Sequence, residues 1–131
     1  MTQTQPSKDY ARQMYWTSME FYQTYAVIEQ AKSPAHDFIA IKHFLLCHAL
    51  ELALKSLLVD TGSYNEKMLK DKFGHDLEKL ANRVKQEYGS FPEVDACMDY
   101  IQVLNPDYRS KGYEYQSIGA ASEAWSVKSS V

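Results

Sequence analysis

Cysteine, proline and glycine are scarce in this chain, with 2, 4 and 5 among 131 residues. Cys47 and Cys97 lie fifty residues apart, which makes neither a disulfide framework nor a CxxC metal knuckle. A single bridge between them stays open, but two free, half-buried thiols in a reducing cytosol fit this usage better. So little glycine and proline argues against a linker-rich or disordered chain. Neither sign of charge dominates: 14 basic and 17 acidic residues leave a net charge of -3. That argues against broad, charge-driven DNA or RNA binding, while leaving room for a local basic patch.

Long apolar runs are missing too. The longest, Phe44 to Val59, is interrupted by His48, Glu51 and Lys55. A lipid-spanning helix needs roughly 20 mostly apolar residues, so no membrane span is expected. The start, MTQTQPSK, has no signal-peptide core behind it, and the expected compartment is the cytoplasm.

What is present is 45% hydrophobic residues, 13% of the chain being aromatic. The pattern reads as a tail at 1–7 and a single helical domain at 8–131. From Lys8 to about Ala31 there is no glycine or proline. One apolar row runs through Tyr15, Met19, Tyr22 and Ala26 to Glu29; a second holds Met14, Phe21, Tyr25 and Ile28. Ser33-Pro34 is a start signal for a second helix, predicted from about Pro34 to Asp60 and about 40 Å long. Its apolar residues surround the axis: Phe38, Ile41, Leu45 and Leu52 on one side, Leu46, Leu50, Ala53 and Leu57 on another. A helix apolar on nearly all sides is a central one.

Asn65 to Lys72 reads as a short helix or a loop. A third principal helix starts at His75 or Asp76 and runs to about Tyr88, burying Leu77, Leu80, Ala81, Val84 and Tyr88. Pro92 opens a fourth, with Val94, Cys97, Met98, Ile101 and Leu104 on one face, closing at Asn105-Pro106. Residues 119–128 read as a short C-terminal helix with Ala121, Ala124 and Trp125 inward. The expected class is all-α, an up-and-down four-helix bundle with a long buried second helix and a short C-terminal one.

His48, Glu51 and Lys55 stand at i, i+3 and i+7 of the central helix and share one face. They form either a buried ion pair fixing helix register or the lining of a ligand groove. His75, at a helix start, is placed to reach back to Glu51 or to hold a loop carbonyl. Lys70, Lys72 and Lys79 lie nearby, where a helix N-terminus also favours an anion. His43, Cys47 and His48 fall short of a metal set, with no ExxH or HExxH motif, so no metal or cofactor is expected. Nucleophile elbows and phosphate loops are absent. The segment 107–116 is dense in Tyr and Arg, suited either to clamping the bundle's end or to stacking on bases.

Three segments together resemble the HEPN superfamily. CHALELALKSLLVDTG resembles its Glu-three-residues-Lys helix at Glu51 and Lys55, and GHDLEKL is similar to its HDL-x-x-L helix start. NPDYRSKGYEY is similar to its Tyr/Arg segment, so the resemblance spans residues 38–115. It implies an all-α bundle that commonly dimerises and works with nucleotides, RNA or a partner protein, in toxin-antitoxin, defence or nucleotidyltransferase-associated systems. The family's ribonucleases carry an Arg followed four to six residues later by His. No His follows Arg12, Arg83 or Arg109 at that distance, and the usual Arg-Tyr step is replaced by Arg109-Ser110-Lys111-Gly112-Tyr113. Catalysis is therefore not carried over. The expectation is a non-catalytic, homodimeric binding module with His48, Glu51, Lys55, His75, Arg109 and Tyr113 around its ligand. The alternatives are a diverged metal-independent ribonuclease, using His48 or His75 as base, and a structural helical interaction protein.

Overall fold

The computed structural model describes residues 5–31 and 38–110. Among the described residues there are five helices and no strand, so the all-α expectation holds. They are α1 (Gln5–Gln30), α2 (Ile39–Asp60), α3 (Glu66–Lys72), α4 (Leu77–Tyr88) and α5 (Pro92–Arg109). None is long and apolar enough to cross a membrane. The expected helix start at Ser33-Pro34, the short helix at 119–128 and Tyr113 lie outside the described residues.

Helix α2 is the axis of the core, with α1, α4 and α5 packed against it. From Lys42 to Val59 every residue is buried or half-buried, as the apolar ring around its axis predicts. It begins at Ile39 behind Phe38, whose φ of 58° is left-handed, so it is shorter than expected. Its 22 residues span about 33 Å at ~1.5 Å per residue.

Three further features differ from the sequence reading. Helix α1 starts at Gln5, inside the expected tail, because proline in a first turn lacks only an N–H that has no partner there anyway. Its inward stripe is Ala11, Met14 and Ser18, continued by the half-buried Phe21, Tyr25 and Ile28. Tyr15 and Tyr22, from the first apolar row, are 48% and 50% exposed. Small residues decide this rotation: Ala11 and Ser18 leave room for close packing on α2, and the Ser18 hydroxyl is satisfied by the Tyr15 carbonyl at 2.6 Å.

The third difference is the one that builds the site. Helix α5 does not stop at Asn105-Pro106 but runs through Pro106 to Arg109. Pro106 and Gln102 are both exposed, so water can meet the Gln102 carbonyl that proline leaves unbonded. The extra turn carries Tyr108 into the core, where it is 3% exposed. Asn105, also 3% exposed, acts on α4 instead of ending α5. Its side-chain oxygen accepts from Leu77 N–H at 2.8 Å, and its amide donates to Asp76 at 3.0 Å. Asp76 in turn accepts from Lys79 N–H at 3.2 Å, so two side chains from different helices cap α4 together.

Both cysteines are free, as expected, but only Cys97 is half-buried; Cys47, on α2, is fully enclosed in the core. Tyr88, expected inward, is 46% exposed, with its hydroxyl on the Leu57 carbonyl at 2.7 Å.

Candidate functional site

The carboxylate of Glu51 sits at the middle of α2 with 3% exposure. Burying a carboxylate without partners is costly, so its surroundings must supply donors. Three elements do so. On its own helix, Lys55 Nζ donates to Oε2 at 2.6 Å. From the α3–α4 turn, His75 Nδ1 lies 3.1 Å from Oε1 and 3.2 Å from Oε2. From α5, the Tyr108 hydroxyl donates to Oε1.

His48 joins through the tyrosine: its Nδ1 is 2.9 Å from the Tyr108 oxygen but 3.7 Å from Oε1 of Glu51. An ionised carboxylate only accepts, so His75 carries a proton on Nδ1. The single Tyr108 proton goes to Glu51, so the tyrosine oxygen accepts from His48 Nδ1–H. In their neutral forms both imidazoles therefore keep Nε2 as an acceptor. Aromatic rings enclose the network on the His48 side, with Phe21 edge-on at 4.5 Å and Phe44 stacked at 5.5 Å. His75 meets Tyr108 edge-on at 6.0 Å.

Burial alone raises the Glu51 pKa. The nearby His48, the Lys55 and Tyr108 hydrogen bonds and the Lys55 charge outweigh it and hold the carboxyl well below the usual range. The same enclosure, with the Glu51 charge nearby, pushes the Cys47 thiol up to about 12. At Asp76, burial is again opposed, here by the Asn105 and Lys79 hydrogen bonds and the Arg109 charge, and the net direction is downward.

Four of the six residues expected around a ligand, His48, Glu51, Lys55 and His75, do meet in one cluster. Arg109 stands outside it, 58% exposed and 3.7 Å from Asp76. Two residues were not anticipated, Tyr108 and Asn105. The signal for Tyr108 was the helical step continuing from Ile101 and Leu104, which the proline masked. Among the described residues no three His, Cys, Asp or Glu side chains form a group that could hold a metal ion.

A second feature lies on the other side of α2. A groove of about 390 Å³ opens between α1 and α5, floored by Leu46, Ala49, Leu50 and Ala53. Met19, Tyr22 and Tyr25 wall it on α1, Cys97 and Tyr100 on α5, and no charged residue lines it. Tyr22 and Tyr100, on its two lips, are 50% and 63% exposed.

No family model matches the chain, and no curated protein or solved structure matches it.

Proposed function

We propose that the chain is a HEPN-like, up-and-down four-helix module that binds rather than cleaves, and that it works as a homodimer joined at the groove between α1 and α5. The observation that carries this is the uncharged lining of that groove between two exposed tyrosines. A lining without cations or anions offers nothing to a phosphate and suits an apolar occupant. A second copy supplies one: around a two-fold axis, the tyrosine lip of each chain enters the other's groove. Tyrosine suits the role, burying a large ring while its hydroxyl stays wet.

In this reading the Glu51 cluster is a clasp that fixes α2, the α3–α4 turn and α5 to one another. Both carboxylate oxygens are already occupied, so Glu51 and Lys55 are not offered to a ligand. The nucleotide, RNA or partner protein implied by the HEPN resemblance then binds at surfaces the dimer leaves open.

Sedimentation equilibrium of the wild type, Tyr100→Glu and Trp16→Glu tests the joint. Trp16 is 61% exposed but does not line the groove, so it controls for a new surface charge. The expected result is a dimer for wild type and Trp16→Glu and a monomer for Tyr100→Glu. A monomeric wild type at tens of micromolar removes the proposal.

One observation favours a second reading, a diverged metal-independent ribonuclease. His75 is 37% exposed, and Glu51 holds its Nδ1, which leaves Nε2 as a base. Cleavage of a mixed RNA by the wild type in the presence of a chelator, lost in His75→Ala, would establish it. Intact RNA removes it.

A further inference from the structure

Although the chain is acidic overall, one face reverses that sign. Helix α4 presents Lys79, Asn82, Arg83 and Gln86 at i, i+3, i+4 and i+7, so all four share one side. Lys72 and Phe73, at the end of α3, face the same concavity, and together these residues line a groove of about 390 Å³. No carboxylate lines it, and none of the three cations forms an ion pair among the described residues. Two of the cations lie beside one buried ring. Lys72 Nζ lies 5.9 Å from the centre of the Tyr64 ring, and Arg83 sits beside the Tyr64 phenol. Tyr64 is 8% exposed and donates to Glu87 at 3.3 Å, so it is itself anchored.

We infer that the groove between α3 and α4 is a binding site for a compact oligophosphate, with Lys72, Lys79 and Arg83 neutralising consecutive phosphates. The guanidinium of Arg83 suits two oxygens of one phosphate, and the two ammonium groups act as point charges on its neighbours. Asn82 and Gln86 add neutral donors along the same wall. Three cations exceed what a single orthophosphate needs. A long strand fits less well, because the exposed Asp71, Glu78 and Glu87 flank the lining residues on the same two helices and repel phosphates beyond the groove. A short run of phosphates stays among the cations. Two sources share this chemistry, inorganic tripolyphosphate and the tail of a nucleoside triphosphate. The site is independent of the dimer joint and of the Glu51 clasp.

Isothermal titration of the full chain at low ionic strength tests it, with tripolyphosphate, ATP, orthophosphate, a 12-nucleotide single-stranded RNA and polyglutamate as probes. Tripolyphosphate is expected to bind at least ten times more tightly than orthophosphate, and to weaken as salt rises. Equal affinity for ATP means that the phosphates carry the recognition; tighter binding of ATP adds contacts to the nucleoside on the same site. Lys79→Ala and Arg83→Gln should each weaken tripolyphosphate about tenfold, the scale of one charge-assisted hydrogen bond. Lys67→Ala, which removes the same charge outside the groove, should change affinity less than twofold. Lys79 is exposed, so its variant keeps the test valid even if Arg83→Gln disturbs Tyr64. The inference is overturned by equal losses in Lys67→Ala, by no binding at millimolar tripolyphosphate, or by tighter binding of RNA or polyglutamate.

Discussion

The hydroxyl of Tyr108 donates to the carboxylate of Glu51, tying α5 to the middle of α2 across 57 residues of sequence. The same oxygen accepts from His48, so one phenol serves two groups on α2. Tyr108→Phe keeps the ring's packing and removes only that oxygen. Leaving a buried donor and acceptor short of a partner costs about 1–3 kcal/mol. A melting temperature lowered by several degrees is therefore expected in calorimetry, with the helical circular dichroism unchanged. An unaltered melting temperature would mean that the hydroxyl contributes nothing to the clasp.

The same carboxylate sets a pH dependence. Its pKa in the folded chain lies well below the ordinary value of 4.5, so the folded state favours the ionised form. The stabilisation is complete above about pH 4.5 and is lost as the pH falls toward the folded value. Wild-type melting temperature should therefore drop steeply below pH 4.5. Glu51→Gln should be less stable near neutrality and give a flatter profile in acid. Parallel profiles for the two proteins would assign the acid sensitivity to other carboxyls.

Asn105 offers a test of capping across helices. Asn105→Ala removes the acceptor for Leu77 N–H and the donor to Asp76 at once. Loss of a helix cap typically costs about 1 kcal/mol, and a buried orphan N–H raises the figure toward 2. If Asn105 and Asp76 cap α4 as a unit, Asn105→Ala and Asp76→Ala will not be additive in denaturant melts. Strict additivity would separate them.

The two thiols should react at very different rates. Cys47 has 0% exposure and a pKa pushed up to about 12, so it holds almost no thiolate at neutral pH. Cys97 is half-buried on the wall of the aromatic groove, and burial raises its pKa as well. A thiol reagent under native conditions should modify Cys97 first and Cys47 only on unfolding. Protection of Cys97 that rises with protein concentration would further support the dimer joint.

Much of the fold was legible in the residues themselves. The apolar ring on α2 marked it as central, and of the two readings open for Glu51 and Lys55 at i, i+4, an ion pair or a groove lining, the structure has the pair in contact at 2.6 Å. The α4 start was legible to within a residue, at His75 or Asp76, and 65–72 as a short helix or a loop; the Asp76 and Asn65 side chains cap the two helices by accepting from Lys79 N–H and Met68 N–H. These are local rules, in which partners lie within a turn and chemistry fixes geometry. The rotation of α1 was not legible, because two apolar rows stood side by side and only packing against α2 chose between them.

What the sequence determined by itself is therefore the helical class, the central helix and the pairing of neighbours along it, since periodicity and capping act over a few residues. What only the tertiary structure decided is the course of α5. Pro106 is a local stop signal, and an exposed carbonyl made overriding it cheap. Beyond that turn wait the Asn105 cap on α4 and the Tyr108 bond to Glu51. Lys55 and Asp76 meet part of the need of the buried carboxylate and the helix terminus within a turn, and the rest comes from a distant part of the chain. That remainder is met between helices, where no spacing within a single helix can express it.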